Sequence, residues 1–349
     1  MGTQESKIAE TVSTNCSIQA EDVHEEWYSQ FFFLQGHGSG NENGTNSSDD
    51  AKSQSFTLNG VTLSGATNSS IFVDEDWIGS LHIENSIMVN NTSREEGAVV
   101  AVLSPWTSIF LSYCTLANNE GKYGTILSLG NYVHSISNCH FEGNKGVVVG
   151  AALSLYGRQA SMNMIDCTLS RNVGNFGAIT SNGHGLHSLS NCLFEANECQ
   201  NETYNGGSVM TLLGDLVKKI FVDDCCFISN QSPSPGTIVI NGESEIVKNQ
   251  WNYGENNQGG QCTGIFQTIG LCSLFLSKES FCSQIKPPLQ NPDYIGIATT
   301  TSKNSDDESQ NLFGACLCLL LSGVFAFSFV LRLIFWYRIG RHGRRAHRH

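Results

Sequence analysis

Residues 136–144 read Ile-Ser-Asn-Cys-His-Phe-Glu-Gly-Asn, and the same nine-residue phrase returns along the chain. Its other copies are 111–119 (LSYCTLANN), 164–172 (MIDCTLSRN), 189–197 (LSNCLFEAN) and 222–230 (VDDCCFISN). The shared pattern is apolar-x-[N/D/Y]-C-x-[F/L]-x-x-N. A further copy is expected at 82–90 (HIENSIMVN), with Asn85 where the cysteine would stand, Ile87 in the Phe/Leu position and Asn90 closing it. The closing asparagines then stand at 90, 119, 144, 172, 197 and 230, in steps of 29, 25, 28, 25 and 33. Between them a second motif recurs, opened by Gly97, Gly124, Gly150, Gly177, Gly207 and Gly236 and continued by a short aliphatic strand. Repeats of this length mark an array whose units bury their apolar sides against one another.

Each unit reads as strand, turn, strand, tight bend, short strand and turn. In the second strand the inward positions are His134 and Ile136, Met162 and Met164, His187 and Leu189, Ile220 and Val222. The two-residue alternation slips by one at the Asn/Asp bend, so the cysteine and the Phe/Leu that follow also turn inward. Three short strands and three corners in about 25 residues describe one coil of a right-handed parallel β-helix, an all-β solenoid stacking at about 4.8 Å per coil. Three columns of like residues then climb the axis. They are cysteine (Cys114, Cys139, Cys167, Cys192, Cys225), Phe/Leu (Leu116, Phe141, Leu169, Phe194, Phe227) and asparagine (Asn119, Asn144, Asn172, Asn197, Asn230). Six coils would make a rod about 29 Å long. A leucine-rich repeat would use the same stacking, but its consensus and its helix are missing from the pattern.

The GAI/GTI openings and FxxN closings, best seen at Gly177-Ala178-Ile179, Phe141 to Asn144, Phe194 to Asn197 and Phe227 to Asn230, resemble the repeat of the polymorphic outer-membrane proteins. The resemblance covers about residues 56 to 250 and implies a surface-exposed, adhesin-like β-helix. Bacterial members of that family end in a membrane β-barrel, whereas this chain ends in an apolar run, so it looks more like a eukaryotic, protist-type, single-span form.

The 349 residues carry 15% charged and 40% hydrophobic side chains, a composition of folded rather than disordered chains. Their 35 glycines lack a period of three and prolines number 6, which excludes a collagen rod and a proline-rich stalk. Net charge is −13, and six arginines with no acid follow Leu331, so residues 1–331 carry −19. Such a body does not suit nucleic acid. Residues 312–331 are uncharged and as a helix would span about 30 Å, the hydrocarbon thickness. Trp336 and Tyr337 then supply interfacial anchors, and the arginines mark the cytoplasmic side.

The expected organisation is an N-terminal cap and polar loop (1–55), β-helix repeats (56–250), a cysteine-containing cap (251–286), a stalk (287–311), a transmembrane α-helix (312–337) and a basic tail (338–349). A plasma-membrane location with the body outside agrees with eight sequons, at Asn15, Asn43, Asn46, Asn68, Asn90, Asn91, Asn201 and Asn230. The first residues show no signal peptide and match a myristoylation template, so a tail-anchored scaffold facing the cytosol is the other topology.

Gly183-His184-Gly185 and Asp223-Asp224 are fragments of a polygalacturonase-like site, but in reversed order and without a basic RIK element, and Asp224 falls at the bend position of Asn138, Asp166 and Asn191. His134 and His187 share a column two coils apart, about 9.6 Å, too far for joint metal ligation. One cysteine per coil in a straight line does not surround an ion. Cys262, Cys272 and Cys282, spaced by ten, are the disulfide candidates and would staple the C-terminal cap. No catalytic, cofactor or metal residue is expected. The function expected is non-enzymatic adhesion to an extracellular or host-cell protein or glycan, with a membrane-tethered polysaccharide lyase or hydrolase as the alternative.

Overall fold

The computed structural model describes residues 9–19, 31–35, 54–201, 206–214, 218–233, 236–240, 244–259, 266–268, 271–273 and Cys282. Within them the chain is an all-β parallel solenoid of about six turns, of the right-handed type. Each coil contributes four strands, one more than the repeat predicts. In one coil these are Val100–Val102, Thr107–Ser112, Thr115–Ala117 and Glu120–Gly121. Each pairs in parallel with its counterpart in the next coil, so four ladders run along the axis: glycine-led, long, cysteine and two-residue. The two-residue ladder holds seven strands, six turns from first to last. The long and cysteine ladders merge into one sheet because Gln54–Ser64 runs unbroken through both positions.

Single left-handed residues make the corners. Asn85, Tyr113, Asn138, Asp166, Asn191, Asp224 and Trp251 have φ of 47 to 55° and separate the long strand from the cysteine strand. Asn and Asp tolerate that region, which is why the bend reads as Asn/Asp in the sequence. A second set (Asn90, Asn118, Gly143, Arg171, Ala196, Ser229, Asn256), with φ of 52 to 60°, separates the cysteine strand from the two-residue strand. Its mixed composition hid this corner, and with it the fourth strand.

The core follows from alternation between these corners. Leu116, Phe141, Leu169, Phe194 and Phe227 are direct register partners and fully buried. The rings of Phe194 and Phe227 stack at 5.0 Å. Ile136, Met164, Leu189 and Val222 form the adjoining column in the long ladder. Stacking replaces the end-caps that an isolated coil would need, since no coil encloses an apolar centre alone.

The register corrects the first repeat. Leu116 pairs with Met88 and Thr115 with Ile87, so the copy runs 83–91, with Ser86 in the cysteine position and Asn91, not Asn90, closing it. Asn90 is instead the left-handed corner residue. The stack also runs past both expected boundaries. Ala9–Gln19 pairs with Gln54–Ser64 and Phe32–Leu34 with Ile71–Val73 at one end, while Tyr253–Glu255, Gln258–Gly259 and Phe266–Thr268 continue it at the other. Leu271–Ser273 then turns back antiparallel on Phe266–Thr268.

No helix among the described residues is long and apolar enough to cross a membrane. The expected stalk, transmembrane helix and basic tail lie outside the described residues.

Candidate functional surface

The buried asparagine column joins coil to coil through its side-chain amides. Asn144 donates through Nδ2 to the Leu116 carbonyl (2.8 Å) and to Asn172 Oδ1 (2.9 Å). Its own Oδ1 accepts from the backbone N–H of Asn119 (3.1 Å) and from Asn119 Nδ2 (3.0 Å). Four side-chain hydrogen bonds thus saturate one buried amide, and the arrangement repeats from Asn91 through Asn119, Asn144, Asn172, Asn197 and Asn230 to Asn257. Only an amide offers two donors and a doubly accepting oxygen in this geometry. Asn257 was missed because Gly254 stands in its repeat's Phe/Leu position.

This ladder overturns two glycosylation candidates. The Nδ2 atoms of Asn91 and Asn230 are buried and hydrogen-bonded inside the stack, where a glycan has no room. Asn90 is exposed, and Asn68 and Asn201 are half-buried. Asn15 lies in strand Ala9–Gln19, and Asn43 and Asn46 fall outside the described residues.

The cysteines of the column are free and buried. Their thiols donate to carbonyls two residues back, as Cys139 does to Ser137 O (3.2 Å) and Cys192 to Ser190 O (3.1 Å). Burial pushes the thiols of Cys114, Cys167 and Cys225 well above the ordinary range, so they pack as small apolar groups. The disulfide expectation needs correction. Cys282 is bonded to Cys226, not to Cys262 or Cys272. Cys226 occupies the outward position beside inward Cys225, and its bond to Cys282 packs against Leu193, Ile228 and Tyr253. Cys262 is outside the described residues, and of Cys272 only the backbone strand is described.

His134 and His187 both face the core, separated in register by Met162. His134 Nδ1 accepts from the Ile109 N–H (3.2 Å), while Nε2 faces Gly130 O and Ser128 Oγ. Burial lowers its pKa to about 4, against a smaller opposing effect of the Gly130 carbonyl. These are core groups. The polygalacturonase-like fragments are not brought together either. His184 precedes strand Leu186–Ser190, whereas Asp223 is the register partner of Ser190 at its far end, so the length of the strand, about 13 Å, lies between them. Asp224 is a left-handed corner. Among the described residues no group of three or more His, Cys, Asp or Glu is placed to hold a metal ion.

What remains for recognition is the outer surface. His140 Nε2 lies 2.8 Å from Glu142 Oε2, and Glu142 also accepts from Arg171 one coil on. Burial, then the Arg171 charge, lower the His140 pKa, favouring a neutral ring that donates to Glu142. Exposed ion pairs Lys122–Glu95 and Lys145–Glu120 (each 3.3 Å) link other coils. Such pairs contribute little to stability. More informative is the edge where the glycine-led strand turns into the long strand. There Trp106 (52% exposed) on one coil, Leu129, Tyr132 (46%) and Val133 on the next, and Leu186 two coils further on present apolar surface. The sequence signal of Trp106, Leu129 and Tyr132 was large apolar residues inside turns, where polar ones are usual, whereas Val133 and Leu186 open strands.

The described chain is therefore a parallel β-solenoid, with a buried asparagine ladder that joins coil to coil and apolar side chains exposed on one outer edge. No family model, curated protein or solved structure matches it.

Proposed function

We propose that this chain is a cell-surface adhesion protein, a single-span relative of the polymorphic outer-membrane protein type, that binds an extracellular protein or glycan without catalysis. The solenoid stands outside the plasma membrane, residues 312–337 cross it and residues 338–349 form a cytoplasmic tail. The observation that carries this reading is the exposed edge of Trp106, Leu129, Tyr132, Val133 and Leu186 on a rod whose interior does not use them. Trp and Tyr are enriched among the few interface residues whose truncation costs about 2 kcal/mol or more, and exposed apolar patches mark interaction sites. The charge and hydropathy of the C-terminal residues support the membrane topology.

The test uses cells displaying the full chain, assayed on immobilised glycans and on partner cells. Trp106→Ala with Tyr132→Ala is expected to reduce adhesion at least about tenfold while the far-ultraviolet circular dichroism stays unchanged. Undiminished adhesion, or a body that external protease cannot reach on intact cells, would contradict the reading. Sugar release that is lost on Asp223→Asn would replace it with the enzymatic alternative.

A further inference from the structure

The disulfide has a consequence that follows from covalent connectivity. Cys226 begins the cysteine-ladder strand Cys226–Ile228, yet the chain goes on to lay down Ile238–Ile240, Ser244–Gln250, Tyr253–Glu255, Gln258–Gly259, Phe266–Thr268 and Leu271–Ser273 before it reaches Cys282. The last coil is therefore contained in a closed loop, and Cys282 returns to the outer face of the coil beneath it. That face is already covered around the bond. Cys226 is fully buried although its position points outward, and Leu193, Ile228 and Tyr253, from three successive coils, pack against the pair.

We propose that Cys226–Cys282 is a mechanical clasp that makes the penultimate coil, rather than the terminal one, the attachment point for everything C-terminal to residue 282. Tension between the two chain ends passes through the sulfur–sulfur bond, and residues 227–281 carry none of it. Without the clasp, a pull from the C-terminus begins at the antiparallel end strand Leu271–Ser273 and strips the stack rung by rung, each rung held only by its neighbour. With it, the pull enters at a strand hydrogen-bonded on both sides, to Leu193–Glu195 and to Tyr253–Glu255. The clasp rests on the adhesion reading only for the origin of tension in life; the covalent path is independent of it.

The experiment is optical-tweezers unfolding of the full chain with handles at both ends, which applies tension whether or not the protein binds anything. Oxidised wild type is expected to reach a final extension shorter by about 200 Å, the 56-residue separation at about 3.6 Å per residue, and to show no early low-force event. Cys282→Ser, Cys226→Ser and wild type treated with a dithiol are each expected to recover that length and to gain a low-force step from the terminal coil. Equal final extension in wild type and Cys282→Ser, or the same first rupture force in both, would overturn the proposal. Agreement between the two single variants and the reduced wild type separates loss of the clasp from misfolding.

Discussion

Asn144→Asp is expected to destabilise the solenoid by about 3–5 kcal/mol at neutral pH, one of the largest effects available to an isosteric change. The substitution swaps the Nδ2 donor for an oxygen that faces two acceptors, the Leu116 carbonyl and Asn172 Oδ1. The buried carboxylate keeps the two bonds it accepts from Asn119 but loses both that Nδ2 donated, and its second oxygen is left facing acceptors in a buried place. Its folded-state pKa must lie above the unfolded value of about 3.9, because protonation restores one donor. The folded variant then binds more protons than the unfolded one, so its stability falls as pH rises through the folded-state pKa and its deficit is smallest below about pH 4. Asn138→Asp is the control. Asp166 and Asp224 already fill the equivalent left-handed corner, so its effect is expected within about 0.5 kcal/mol. Urea unfolding at pH 7 and pH 4 distinguishes the two, and equal losses at both positions would contradict the amide ladder.

Phe194→Ala is expected to cost about 3–5 kcal/mol, through lost burial and a cavity between Leu169 and Phe227 that rigid strands on either side do not fill. Phe194→Leu should cost less than about 1.5 kcal/mol, since Leu116 and Leu169 occupy the same column. Chemical denaturation of both variants measures the difference. A cost below about 1 kcal/mol for alanine would mean that the column is not the core.

The solenoid was legible because stacking forces equivalent positions to repeat, so cysteine, Phe/Leu and asparagine stand in phase in the sequence as they do in space. The first bend was readable from Asn138, Asp166 and Asn191, residues that favour the left-handed region. The second was not, because Arg171, Ala196 and Ser229 hold the same conformation without that preference. Asn91 was misplaced by one because Asn90 and Asn91 adjoin and Ser86 has no thiol to align. The copy ending at Asn257 was hidden by Asn252 and Gly254, which stand where cysteine and Phe/Leu are expected. The pairing of Cys226 with Cys282 is a long-range contact, and spacing by ten could not reveal it. The apolar edge was overlooked for a simpler reason. Trp106 and Tyr132 lie outside both motifs, and nothing in the periodicity draws attention to them.

The account depends on Glu120, Lys145, Val173, Glu198, Gln231 and Gln258 climbing one ladder, a register in which sequence intervals of 25 to 33 residues all become a single strand spacing. Dipolar electron-spin spectroscopy measures this directly, with nitroxides on genetically encoded residues because the chain has 13 cysteines. Labels at Glu120 and Gln258 span five rungs and should lie about 24 Å apart; Lys145 and Gln258 span four and should lie about 19 Å apart. Narrow distributions differing by about one rung, 4.8 Å, are the predicted result. Broad distributions, or distances that grow with the number of intervening residues instead of the number of coils, would contradict it.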